Sequence, residues 1–347
     1  MALKPLSRTC KKLEELSKLE TRETQSVSVV QDGGGALKIR NLNVSYYMGA
    51  KNFVPACREV QFETKYGETI GLLGESGAGK STVAYAVMGL IEPPNTATGE
   101  IIYGGKNVLS MSQNELRKFR WNQIAMIFQA AMNSLDPIVT VGKNMDELVL
   151  DKGVVGSKEE ARQLSTKLLE TVDLSPEVYK MYPFELSGGM KQRVIISMAL
   201  ATNPKVLILD EPTTALDTIT QFSVLSTIKS LKKEGRVGGL MLISHDISVQ
   251  AFMVDRVLIM LKGLVVEDAP VKTVMASPKH PYTQVLTEKL KIDSSKKSTA
   301  SLSATTPISG CPFANYCPYV MSKCWDEVPP LVSIEENHRV ACFLFGG

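Results

Sequence analysis

Long apolar runs are missing from this chain of 347 residues. Stretches such as Val83–Ile91 and Val257–Leu261 stop far short of the ~18 residues that a membrane span needs. Any membrane contact is therefore expected through a partner. The opening MALKPLSRTCKKLEELSKLE has no apolar core, so a cytosolic setting is expected and a secretory signal is not. A surplus of one charge is missing too. The net charge is only +3, which argues against an extended polyanion-binding surface and against nucleic acid as a partner. Cysteines are few, six in all, and unevenly placed. Cys10 and Cys57 stand alone, while Cys311, Cys317, Cys324 and Cys342 crowd the C-terminal end, a layout unlike a disulfide framework. Internal repeats are absent from the sequence. What remains, 44% hydrophobic and 22% charged residues, is ordinary for a globular chain.

The order of patterns predicts an α/β architecture. Residues 1–36 are polar and end in Asp32-Gly33-Gly34-Gly35, which reads as a flexible extension, with one short helix possible over 11–20. From Leu37, apolar residues alternate with one slip, as in a strand. ETIGLL (68–73) and Lys205–Leu209 read as buried strands, and Gly239–Ser244 repeats their pattern. Helices are predicted over 80–90, Ser157–Val172 and from LSGGM to about Thr202. Strands alternating with helices make a mainly parallel sheet, and the early alternating segments make an antiparallel side-sheet. The organisation expected is one large domain over 37–290, with a helical part at about 130–202. A Ser/Thr/Lys-rich linker follows at 291–309, then a small Cys-rich piece at 310–347, too small to hold without a staple.

Between a predicted strand and helix lies GESGAGKST (74–82), which fits the phosphate-cradling G-x-x-x-x-G-K-[ST] pattern. Gly74, Gly77 and Gly79 let the backbone turn its N–H groups inward, and Glu75, Ser76, Ala78 and Thr82 complete the loop. Lys80 should reach the β/γ-phosphates of ATP, and the Ser81 hydroxyl should ligate Mg²⁺. Asp210 ends the strand VLILD, where it would hold the Mg²⁺. Glu211 is the candidate general base for attack of water on the γ-phosphate. Ser187, Gly188 and Gly189 of LSGG open another helix; this is ordinary capping chemistry or a second anion-binding helix start. One compact subunit cannot bring both helix starts to the same γ-phosphate if the sites lie apart. The second reading therefore calls for a dimer with ATP sandwiched between copies.

GESGAGKST, the FQ of 128–129, LSGGMKQR, LILDEP, ALD at 215–217 and SHD at 244–246 together resemble an ABC-transporter nucleotide-binding subunit over about 37–290. The resemblance implies that Tyr46 stacks on adenine, that Gln129 joins Mg²⁺ and senses a permease, that His245 contacts the γ-phosphate and that Asp217 couples two sites. FQAAMNSLDP, the Met190 of SGGMKQR and HPYTQVL (280–286) resemble the oligopeptide, dipeptide and nickel importer subfamily. That subfamily implies a second, non-identical ATPase subunit, two membrane permeases, an extracytoplasmic binding protein and a place on the cytoplasmic face of the membrane. The competing class is a soluble ABC ATPase acting in translation or nucleic-acid processing. Those proteins generally carry two nucleotide domains or coiled-coil insertions, which this chain lacks. The cargo is open among peptides, sugars and nickel.

The terminal cysteines read C-x5-C-x6-C-x17-C, without the close C-x2–4-C pairs of zinc knuckles. Pro312 and Pro318 directly follow cysteines, as a proline does in some ferredoxin runs. Spacing alone leaves a cluster, a zinc ion or no metal open. The resemblance implies a [4Fe–4S] cluster on Cys311, Cys317, Cys324 and Cys342. Two departures from the subfamily stand out: a short TTPISG lead-in to the first of these cysteines, and Ala130-Ala131 where Asp-Pro is common.

Overall fold

The structure is a computed structural model that describes residues 36–214, 216–291 and 309–346. The predicted N-terminal extension and nearly all of the linker lie outside the described residues. Among those residues the strands form two sheets. The small antiparallel sheet runs β2 (Phe53–Glu63), β1 (Lys38–Tyr47), β4 (Thr96–Tyr103), β5 (Lys106–Asn107). The slip in the early alternation is real, because the pairing of β1 shifts register on both sides of Leu42.

The large sheet carries the site. Its order is β11 (Val332–Glu335), β12 (His338–Val340), β10 (Leu264–Pro270), β9 (Arg256–Leu261), β3 (Thr69–Leu73), β8 (Gly239–Ser244), β7 (Val206–Asp210), β6 (Ile124–Ile127). From β9 to β6 the neighbours are parallel. TIGLL, IAMI, VLILD and GLMLIS are buried at every position because both faces of this sheet are covered. One face packs with α1 (Lys80–Val87) and the small sheet. The other is covered by α5 (Gly188–Leu200) and α6 (Thr218–Lys233), with α3 (Val141–Asp151) and α4 (Lys158–Thr171) packed beyond.

Helix ends follow their capping chemistry. Ser157 and Glu160 form a reciprocal capping box at the start of α4. α1 stops at Val87 rather than residue 90. Gly89 takes φ +63, and the Gly89 and Leu90 amides close back onto the Ala86 and Tyr85 carbonyls.

The Cys-rich end has an anchor that the sequence did not suggest. Its hairpin β11–β12 is not a separate knob. β12 pairs antiparallel with β10 and so extends the main sheet. Two buried carboxylates of β10 fasten it: Asp268 receives Arg256 and Arg339, and Glu267 meets His338 Nε2 at 2.8 Å. Sheet pairing and these buried contacts therefore tie the hairpin to the main sheet.

Candidate nucleotide site

The P-loop leaves β3 and enters α1. Gly79 has φ +96, and a Cβ there would sit 2.2 Å from the Ala56 carbonyl oxygen. A Cβ on Gly74 would sit 2.3 Å from that of Met260. The loop is thus pressed against the strands behind it, and only glycine fits at both points. Lys80 is buried and its Nζ donates to the carbonyls of Gly74 at 2.8 Å and Glu75 at 2.9 Å. Burial lowers its pKa, against the pull of Glu211, Asp210 and Glu75. An ammonium held only by two carbonyls is ready to exchange them for phosphate oxygens.

The Ser81 hydroxyl donates to Asp210 Oδ1 at 3.0 Å. The other oxygen, Oδ2, is buried and has no hydrogen-bond partner among the described residues, which fits a cation held beside Ser81. Burial raises the Asp210 pKa, Ser81 lowers it, Glu211 raises it and Lys80 lowers it. Glu211 follows in a left-handed backbone conformation, φ +47, unusual for a side chain of its size. Its carboxylate is gripped from three sides. His245 Nδ1 lies 3.0 Å from Oε1; Thr214 Oγ1 donates to Oε2 at 3.0 Å and Gln129 Nε2 at 3.4 Å. Burial pushes the Glu211 pKa up, yet the bonds from His245 and Thr214 outweigh it and the net direction is down. Tyr46 on β1 donates its hydroxyl to Thr82 Oγ1 at 3.4 Å, at the start of α1.

Ser187 and Asp217 stand apart from this group. Ser187 is the exposed N-cap of α5, its Oγ accepting the Met190 amide, and Asp217 is the exposed N-cap of α6, its Oδ1 accepting the Thr220 amide. Among the described residues no hydrogen bond joins either to the P-loop. They belong to one neighbourhood, since a Cβ on Gly189 would meet Thr220 Cγ2 at 2.4 Å. Ala130 has φ +58, which Asp would tolerate better than Ala.

Residues 57–214 match the ABC transporter family profile, and residues 266–324 match that of the oligopeptide/dipeptide transporter C-terminal region. The chain is 39% identical over 323 residues to the oligopeptide transport ATP-binding protein AppD of Bacillus subtilis (strain 168), covering 89% of this chain and 96% of that one. It is 37% identical over 332 residues to the oligopeptide transport ATP-binding protein OppD of Escherichia coli (strain K12), covering 92% and 97%. This chain belongs to the ABC transporter family. Within it, the chain falls among the ATP-binding subunits of the oligopeptide/dipeptide type. The fold agrees: the ATP-binding cassette MJ0796, in a dimeric post-hydrolysis state bound to ADP and Pi, superimposes with a TM-score of 0.60 at 30% identity. That match covers 68% of this chain and 98% of the other.

The oligopeptide/dipeptide C-terminal match takes in His280–Tyr282, Cys311, Cys317 and Cys324 and stops before Cys342. All four cysteines line one pocket, with His280, Pro281 and Phe313. The backbone at Phe313, Tyr319 and Leu344 favours the thiolates of Cys311, Cys317 and Cys342. Burial nevertheless raises all three thiols, that of Cys311 to about 11. No three His, Cys, Asp or Glu among the described residues are gathered so as to hold a metal ion. The iron–sulfur expectation thus meets a shared pocket and no assembled metal site. Three contacts around the nucleotide site went unread in the sequence: Thr214 on Glu211, Cys57 Sγ on the Gly79 carbonyl at 3.6 Å, and Tyr282 on the P-loop. Only the last carried a signal, the HPYT motif.

Proposed function

We propose that this chain is the ATP-hydrolysing subunit of an importer of oligopeptides or dipeptides, a cargo class supported by the names of its relatives. The Glu211 carboxylate carries the catalytic half of the reading. It is ionised, oriented by His245, Thr214 and Gln129, and one residue from the Asp210 oxygen left without a partner. Lys80 and the loop amides would bind the β/γ-phosphates, Ser81, Gln129 and Asp210 would hold Mg²⁺, and Tyr46 would stack on adenine. Bound Mg²⁺ would neutralise charge on the phosphate oxygens. Glu211 would take the proton of the attacking water, with His245 steadying both the carboxylate and the γ-phosphate.

The exposed caps Ser187 and Asp217 would serve the ATP of a facing subunit, which gives a sandwich dimer. ATP would favour the closed dimer and ADP the open one, because only ATP bridges both surfaces. No helix among the described residues is long and apolar enough to cross a membrane. Passage would run through permease subunits supplied by a binding protein, with this chain on the cytoplasmic face. The measurement is ATP-dependent uptake of a labelled oligopeptide by vesicles holding the assembled complex. Uptake that continues without hydrolysis would overturn the reading.

The four terminal cysteines would hold a [4Fe–4S] cluster. Their common pocket supports it. Iron content and visible absorption of anaerobically purified chain test this; neither iron nor colour would end it.

A further inference from the structure

The HPYT motif has no part in the reaction above, yet it reaches the P-loop. Tyr282 is 1% exposed, and its hydroxyl oxygen accepts the Glu75 amide N–H at 3.3 Å across 207 residues of sequence. The carbonyl of the same Glu75 accepts Lys80 Nζ at 2.9 Å. One residue of the phosphate loop is therefore held at both its N–H and its C=O.

On its other side the tyrosine ring meets Phe313, with centroids 5.6 Å apart and planes inclined at 56°. The His280 ring meets the same phenyl group at 6.2 Å and 60°. Phe313, His280 and Pro281 are walls of the cysteine pocket. The segment between them is rigid for a chemical reason. The His280 amide donates to buried Glu267 Oε2 at 2.9 Å, and His280 Nδ1 accepts the Tyr282 amide at 3.0 Å. Burial drives the His280 pKa down to about 3, so its ring stays neutral and Nδ1 remains an acceptor.

We infer that Tyr282 is a positioning residue for nucleotide binding, and that His280–Tyr282 is a strut through which the cysteine pocket acts on the P-loop. The inference rests on residues 74–82 being the phosphate site. When Lys80 exchanges its two carbonyls for phosphate, the Ala78 amide keeps the Glu75 C=O at 3.1 Å and Tyr282 keeps its N–H. Whatever rearranges the cysteine pocket then alters ATP affinity, and ATP alters the pocket by the same factor.

Tyr282→Phe in the full chain keeps the ring and removes only the oxygen acceptor. A hydrogen bond of ordinary strength predicts that the Kd and KM for ATP rise about threefold to tenfold. kcat is expected to hold, and the melting temperature to fall by no more than the loss of one hydrogen bond in the free chain requires. An unchanged Kd overturns the inference, as does a fall in kcat and melting temperature with Kd unmoved. Failure of the wild-type chain to bind ATP would instead remove the reading of the P-loop, and the inference with it. The strut has its own readout in metal-free chain. ATP should change the rate at which iodoacetamide labels Cys311 and Cys317, followed by mass spectrometry, and should change it less in the Tyr282→Phe variant. An equal effect of ATP in both proteins overturns the coupling.

Discussion

His245 Nδ1 and Glu211 Oε1 stand 3.0 Å apart, joining the residue after β8 to the residue after β7 at the mouth of the nucleotide site. Glu211 keeps that place only by adopting a left-handed backbone, and its amide bonds back to the Ile243 carbonyl at 3.0 Å. Strain of this kind persists where the surroundings over-determine it, and here two strand ends do so.

Glu211→Gln preserves shape and removes the base. Turnover is expected to fall by about 10²–10⁴-fold, the range for losing general-base assistance, while ATP affinity stays within a few-fold. His245→Ala should lower turnover as well, and the double variant should be little worse than Glu211→Gln alone because the two act as a unit. Steady-state hydrolysis and equilibrium ATP binding check both statements. Wild-type hydrolysis in Glu211→Gln would remove this residue from the mechanism.

Two glycines of the P-loop separate strain from collision. Gly77 has φ +77 with nothing within 4 Å of a built Cβ, whereas Gly79 has φ +96 and the Ala56 carbonyl oxygen 2.2 Å away. Gly77→Ala is expected to cost about 1–2 kcal/mol of backbone strain. Gly79→Ala must also push apart the loop and β2, so its loss of melting temperature should be clearly larger. Equal losses in thermal unfolding would show that the contact with Ala56 is not tight.

The parts of this fold that the sequence made legible are those governed by neighbours along the chain. GLMLIS and VLILD read as buried strands because continuous apolar runs bounded by polar ends have few other homes. GESGAGKST read as a phosphate loop because glycine spacing dictates its turns. The apolar spacing over Ser157–Val172 read as a helix, which the structure places at Lys158–Thr171. What escaped notice depends on pairings across long stretches of chain. Nothing near Asp268 points to Arg339, 71 residues on, and nothing near Glu75 points to Tyr282. The roles of Ser187 and Asp217 escape one chain for another reason, since their proposed partner is on a second subunit.

Cys57 gives a pH dependence whose sign follows from burial. Its thiol is 1% exposed behind the P-loop, and burial pushes its pKa from 9.0 to about 12. Between those values the unfolded chain has released a proton that the folded chain retains. Stability therefore falls as pH rises above 9, by up to about 1.4 kcal/mol per pH unit from this group. Below pH 9 the thiol is neutral in both states and contributes no slope. Urea unfolding at several pH values from 8.5 to 10.5 should show a shallower decline in Cys57→Ala than in wild type, whatever the change in absolute stability. Parallel declines would mean that other groups set the alkaline limit.

Asp268 is the buried charge on which the C-terminal hairpin depends. It is 1% exposed and accepts Arg256 Nε at 2.6 Å, Arg256 Nη2 at 2.7 Å and Arg339 Nε at 3.0 Å. Asp268→Ala removes the acid that two guanidinium groups share, leaving Arg256 with Glu68 at 3.7 Å, and is expected to cost about 3–5 kcal/mol, as for other buried pairs broken from one side. Arg339→Met should cost less, because the Arg339 side chain is 29% exposed and Arg256 still neutralises Asp268. The loss should be local before it is global. β12 is tied to β10 through this contact and through His338 on Glu267, so freeing Arg339 loosens the strand at its edge of the sheet. Limited proteolysis should cut within 332–340 in Asp268→Ala under conditions that leave the wild type intact, and thermal unfolding should report the lowered midpoint. A variant that melts like wild type and resists cleavage would mean that sheet pairing alone secures the hairpin.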